Sequence, residues 1–389
     1  MQRSGLPPLY NERVLRLGYN DCHAFQDDSG HRSQPTSGSA RSVLLVSRYR
    51  PGEIGGIETH LRLVLAGLGN EGVVVDWVGC LRRPRSVVSG AADGFTSGWL
   101  QTIRAIRSKR WSCVHVHGFD RGVVLVVCLA VMSCRGRSIK LFITPHNGVH
   151  GYAGDPRPWR RWVKQCTDHV LFPIVSKFAE AVVQISEEEQ MRTLARFGNR
   201  GFLPIVANPI EAASTASIKS FANTENLHSL LVLGRVHPGK RIEDVLIALS
   251  GLHTNMSLVV AGPDGGALSS LRELAARLNV VVQFVGPVVG EDKWKLIISS
   301  SALVLPSVSE GVPTVALEAL SAGVPVIASE AAARSLPRGG VIVFETGNCV
   351  ALRNLLDRFD DRENPASRNA YRSRATAKGH PARDWRYTR

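Results

Sequence analysis

Aromatic side chains make up only 6% of the 389 residues, too few for the rows of stacking platforms that grip single-stranded nucleic acid. Cysteine provides no scaffold either. The seven cysteines (Cys22, Cys80, Cys113, Cys128, Cys134, Cys166 and Cys349) are odd in number and contain no C-x-x-C pair, which argues against a zinc site or a disulfide framework and fits a reducing compartment. No apolar run approaches the ~20 residues of a membrane span. The longest, Val123 to Met132, is about half that length and reads as a buried core helix. Residues 1–40 lack the apolar stretch of a signal peptide and are broken by Pro7, Pro8 and Pro35, so they read as a poorly ordered extension.

What is present describes a globular chain: 44% hydrophobic, 21% charged, mean hydropathy -0.01, long enough for about two to three domains of roughly 150 residues. The net charge of +14 points to an anionic partner, whether nucleic acid, membrane surface or small substrate. Basic bursts occur at Arg104 to Arg110, at Arg157 to Lys164 and in the tail 366–389, where seven bases face one acid. They read either as solvated charge or as a peripheral anchor to an anionic leaflet.

From Ser42 the chain alternates short β-branched runs with helical spacing. Val43 to Val46, Val73 to Val78, Val114 to Val116, Leu141 to Thr144 and Ala181 to Ile185 read as strands, and Ile57 to Leu68 and Glu187 to Phe197 as helices. Ser186 with Glu189 forms a capping pattern, so Ser186 reads as a cap rather than a nucleophile. Between Asn208 and Ser229 the composition shifts to Ala, Ser, Thr and Asn without period, as at a domain boundary. A second alternation runs from Leu230 to Ile327. The expected organisation is an extension 1–40, a domain 41–210, a linker 211–228, a domain 229–365 and the basic tail 366–389. Both domains are α/β and doubly wound, with ligand at the carboxyl ends of the strands in a central cleft.

Three places carry chemistry. Gly234-Arg235-Val236-His237-Pro238-Gly239-Lys240-Arg241 joins a strand to a helix, where free N–H groups, a forked guanidinium and an ammonium can hold phosphate; the alternative is a solvated basic turn. Glu310 follows a buried strand, while Glu318 lies a turn into an apolar helix, where a carboxylate needs donors: sugar hydroxyls, backbone amides or an arginine. Gly55-Gly56 ends a loop and opens a helix, through close approach to a ligand or through tight packing. It is not a G-x-G-x-x-G turn, which disfavours a nicotinamide enzyme.

The run Glu310 to Ser329, EGVPTVALEALSAGVPVIAS, resembles the E-x7-E block of the family 4 retaining glycosyltransferases of GT-B fold. The likeness extends from about Ser42 to Glu345 through ordered landmarks: Gly55-Gly56-Ile57-Glu58, His115-Val116-His117, Thr144-Pro145-His146, Ile185-Ser186, Asn208-Pro209 and Gly234-Arg235 with Lys240. It implies that Arg235 and Lys240 hold the donor diphosphate and that Glu310, with Gly311 and Val312, contacts the donor sugar. Glu318 would bond the nucleotide ribose, Gly55 and Gly56 would abut the donor phosphate, and His146 would face the transferred sugar. Two departures stand out: Arg241 where relatives often have glycine, and Pro313 where many have glycine.

The resemblance further implies a nucleoside-diphosphate sugar donor, a glycan or lipid-linked acceptor in surface polysaccharide synthesis, and a cytoplasmic enzyme, peripheral on the inner face of the membrane. The absence of any D-x-D argues against an obligatory metal, and no cofactor is expected. The competing readings are another GT-B enzyme, such as a nucleotide-sugar epimerase or a phosphorylase, and a basic nucleic-acid-binding protein.

Overall fold

The computed structural model describes residues 42–48, 55–70, 73–80, 96–134, 136–146, 157–199, 201–211, 213, 229–252, 256–337 and 339–360. The expected extension 1–40, most of the linker 211–228 and the basic tail 366–389 lie outside the described residues. The chain divides between Ala207 and Asn208 into two units.

The first unit holds β1 (Ser42–Ser47), α1 (Gly56–Asn70), β2 (Val74–Cys80), β3 (Thr96–Ser97), α2 (Trp99–Ser108), β4 (Cys113–His117), α3 (Arg121–Ser133), β5 (Lys140–Thr144), α4 (Pro158–Phe178), β6 (Ala181–Val182) and α5 (Glu187–Phe197). Its sheet is parallel, in the order β3-β2-β1-β4-β5-β6. Alternation of side chains sorts the two faces. Leu44, Val46, Val114, Val116, Leu141 and Ile143 pack under α2, α3 and α4, whereas Val43, Leu45, Cys113 and Phe142 pack under α1.

The second unit repeats the plan with β7 (Ser229–Leu233), α6 (Ile242–Leu249), β8 (Ser257–Ala261), α7 (Leu268–Leu278), β9 (Val282–Gly286), α8 (Gly290–Ser299), β10 (Ala302–Leu305), α9 (Thr314–Ser321), β11 (Val326–Ser329), α10 (Glu330–Ala333), β12 (Val341–Phe344) and α11 (Cys349–Asp360). The parallel order is β12-β11-β10-β7-β8-β9. Helices α6, α7 and α11 cover one face, and α8, α9 and α10 the other. Both units are therefore doubly wound, with strand order reversing between β1 and β4 and between β7 and β10.

Two expectations change. The run Val123 to Met132 does lie in a helix, but only one side is buried: Val123, Val124 and Val127 meet the sheet, while Leu125, Leu129 and Met132 are exposed. The expected strand to Ile185 stops at Val182; Gln184 instead forms an isolated bridge with Ile205. The cap on α5 is as read. Ser186 Oγ accepts from the Glu189 amide at 3.1 Å, and the Glu189 carboxylate accepts from Ile185 N at 2.9 Å.

Candidate functional site

In an open parallel sheet, the loops leaving the strands on either side of the order reversal splay apart and leave room for a ligand. In the second unit these are the segments after β7 and β10. The first runs through Gly234 and Arg235 into a single 3-10 turn, Pro238–Lys240, where the His237 imidazole accepts from Gly239 N at 3.0 Å. The second reaches Glu310. Val308 N donates to Gly239 O at 3.1 Å and stitches the two together. Lys240 Nζ and Glu310 Oε1 consequently meet at 2.5 Å, with both side chains part-buried. Arg235 is exposed on the same turn, and Gly311 and Val312 follow Glu310 on the way into α9.

Close backbone approach supports this turn. A Cβ on Gly262, at the end of β8, would lie 1.9 Å from Gly234 O, so no other residue fits there without moving the phosphate-turn candidate. Arg241 adopts φ 50, the left-handed conformation that glycine takes at low cost. Its guanidinium donates to both oxygens of buried Asp244, at 2.6 and 2.7 Å. That bidentate bond offsets the strain of a non-glycine residue in this conformation. Asp244 and Glu243 stand in the first turn of α6, so the charge available to an anion comes from Arg235 and Lys240 more than from this helix end.

Glu318 lies on the inner side of α9 and is buried. One donor to it is a lysine, a type not expected from the sequence. Lys293 of α8 places Nζ 3.0 Å from Glu318 Oε1 and 2.6 Å from Glu211 Oε2. The two carboxylates thus share one part-buried ammonium. Neither Lys293 nor Glu211 stood out in the sequence, because nothing in the spacing of 211, 293 and 318 relates them.

In the first unit the corresponding reversal, between β1 and β4, gathers histidines. His115 and His117 point to the same face of β4, α1 brings His60, and the turn after β5 brings His146 at φ 49. His117 Nδ1 and His146 Nε2 are 3.2 Å apart, and His115 Nε2 lies 2.8 Å from the Thr144 hydroxyl. Burial pushes the His146 imidazole down to about 3, with the charge of His115 acting in the same direction; it is neutral at physiological pH. Among the described residues, ligand atoms of His60, His117 and His146 lie within 4.8 Å of one another, close enough to hold a metal ion. His60 and His117 had no assigned role in the sequence, although the His-Val-His run was visible. A Cβ on Gly56 would meet nothing within 4 Å, which removes tight packing as the reason for that glycine.

The decisive comparison concerns the second unit: residues 214–360 match the family of glycosyl transferases group 1. That match takes in Arg235, Lys240, Lys293, Glu310 and Glu318, while Glu211 stands just before it. Solved structures share the GT-B arrangement of two Rossmann-like domains. Sucrose-phosphate synthase from Thermosynechococcus elongatus is 17% identical with a TM-score of 0.69, over 87% of this chain and 94% of that one. The Anabaena protein HepE, in complex with UDP and glucose, is 17% identical with a TM-score of 0.66, over 90% and 96%. The lipopolysaccharide outer core galactosyltransferase WaaB is 16% identical with a TM-score of 0.62, over 87% and 96%. No curated protein matches the chain. Among the described residues, no helix is long and apolar enough to cross a membrane.

Proposed function

We propose that the protein moves a sugar from a nucleoside diphosphate to a glycan or lipid-linked acceptor with retention at the anomeric carbon. The observation that carries this reading is the meeting of Lys240 and Glu310 at the β7–β10 reversal, with buried Glu318 on the helix that follows. Arg235 grips the diphosphate and Lys240 neutralises charge on it as the bond from sugar carbon to phosphate oxygen breaks. Glu310, with the adjoining Gly311 and Val312, holds the sugar hydroxyls; Glu318 accepts from the ribose. Gly55 and Gly56 leave room at the mouth of α1 for donor phosphate, and neutral His146 bonds a hydroxyl of the transferred sugar. Two basic side chains do the electrostatic work, so no metal is required.

In the resting protein Lys240 is paired with Glu310. Binding of a diphosphate gives that ammonium a second anion and frees Glu310 to turn toward the sugar. A glycosidase role for the two glutamates is not part of this reading, since a ribose-bound carboxylate cannot flank a scissile glycosidic bond. The test is a panel of nucleotide sugars, beginning with UDP-glucose because the HepE structure holds UDP and glucose. Nucleoside diphosphate release should appear with one donor class, and NMR of the product should show the donor's anomeric configuration. Inversion would overturn the retaining step. A panel without transfer, hydrolysis or stabilisation by any nucleoside diphosphate would overturn the function.

A further inference from the structure

Helices α2, α3 and α4 form a surface of the first unit that the donor chemistry does not use. They lie on one side of the sheet, held there by Ile106, Val124, Val127, Phe172 and Val175, and α3 contacts both neighbours. Their outward sides are apolar. On α4, Trp159, Trp162, Val163, Val170, Ile174 and Phe178 recur at helical steps along one stripe, with Trp159 61% and Trp162 66% exposed. On α3, Leu125, Leu129 and Met132 continue the apolar surface. Singly exposed apolar side chains need no explanation, but a stripe six residues long beside a second one does.

Charge on the same helices is one-sided. They contain seven bases, Arg104 and Arg107 on α2, Arg121 on α3, and Arg160, Arg161, Lys164 and Lys177 on α4, against one acid, Asp168. Asp168 is fully buried and accepts from Arg121 at 2.7 Å, with burial raising its carboxyl above the usual range. No acid of the three helices reaches solvent. Two basic bursts widely separated in sequence thereby fall on one side of one unit.

We propose that this face docks on an anionic lipid leaflet. Tryptophan at the helix start, aliphatic side chains along the stripe and a basic surround are the elements of interfacial binding, in which rings and methyls enter the headgroup boundary while Arg and Lys meet lipid phosphates. Leu125, Leu129, Met132, Val163, Val170 and Ile174 outnumber the rings Trp159, Trp162 and Phe178, so most of the surface offers a base nothing to stack on. The proposal does not depend on the transferase reading.

The experiment is sedimentation of the full chain with vesicles of phosphatidylcholine alone or mixed with phosphatidylglycerol, at low and high salt. The Trp159→Ser/Trp162→Ser variant and the Arg160→Glu/Arg161→Glu/Lys164→Glu variant are run in parallel. The wild type should bind the anionic vesicles and largely ignore the neutral ones, with a blue shift of tryptophan emission. Each variant should lose about tenfold or more in partitioning with an unchanged unfolding midpoint. Equal binding to neutral vesicles, or undiminished binding by the tryptophan variant, would overturn the proposal. So would a dimer in light scattering that the tryptophan variant dissociates, which would give the face to a second copy of the chain. Binding to an oligonucleotide that the same variant abolishes would likewise overturn it.

Discussion

Lys293 lies between two carboxylates, buried Glu318 and part-buried Glu211. Breaking a buried pair by removing one partner costs about 3–5 kcal/mol, because the remaining charge loses its counter-ion; Lys293→Met takes this ammonium from buried Glu318. Its urea unfolding midpoint should fall sharply, and Lys293→Arg should recover part of the loss. A midpoint unchanged in Lys293→Met would mean that the triad contributes nothing to stability. Glu318→Ala addresses ligand binding. A hydrogen bond to a charged acceptor is worth about 1.5–3 kcal/mol, so the affinity for whichever of UDP, GDP or ADP binds the wild type should fall by that amount in calorimetry. An unchanged titration would remove the ribose role. His146 gives a pH signature. Its folded value of about 3 lies below the ordinary 6.5, so the unfolded chain takes up the proton first as pH drops. The stability linked to this group is fully present above 6.5 and is lost as pH falls from there toward 3. Between pH 7.5 and 5 the wild type should lose more unfolding free energy than His146→Asn; equal losses would rule out the depressed value.

At the scale of elements, α5 rests on its cap. Ser186→Ala leaves the Glu189 amide without its acceptor and should cost about 1 kcal/mol, within the usual 0.5–2, in thermal or urea unfolding. The cap was legible because a Ser-x-x-Glu pattern acts over one helical turn. The strands of both sheets were legible for the same kind of reason, since their β-branched runs carry the signal locally. Less local features were not. The apolar run Val123 to Met132 reads as wholly buried, yet a helix laid on a sheet hides only the side facing it, and sequence alone does not reveal that nothing described covers Leu125 and Leu129. The expected strand beyond Val182 ends because Gln184 pairs with Ile205, 21 residues on, a contact set by how the chain returns rather than by propensity.

For the whole molecule, the proposed chemistry draws on residues of both units. Arg235, Lys240, Glu310, Gly311, Val312 and Glu318 belong to the second unit and His146 to the first. Lys240→Ala should depress turnover more than nucleotide affinity, since the ammonium matters most as the diphosphate leaves; a normal kcat with a raised KM would make Lys240 a binding residue only. His146→Ala should lower turnover while leaving nucleoside diphosphate affinity unchanged in calorimetry. Metal independence is tested by chelation, with the histidine cluster as the reason to test it. Transfer should survive EDTA and phenanthroline, whereas loss that zinc restores would assign His60, His117 and His146 to a metal.

The amino-acid sequence by itself determined the α/β class and the doubly wound plan of both units, because strand runs and helix spacing are encoded within short windows. It also placed Lys240 and Glu310 on loops at strand ends. Only the tertiary structure decided that these two side chains meet, that Lys293 bridges Glu318 and Glu211, that the histidines of α1, β4 and the turn after β5 cluster, and that two basic bursts share a face. Each joins residues dozens of positions apart. Their proximity follows from strand order and from which side of a sheet each helix covers, and neither is written in local sequence.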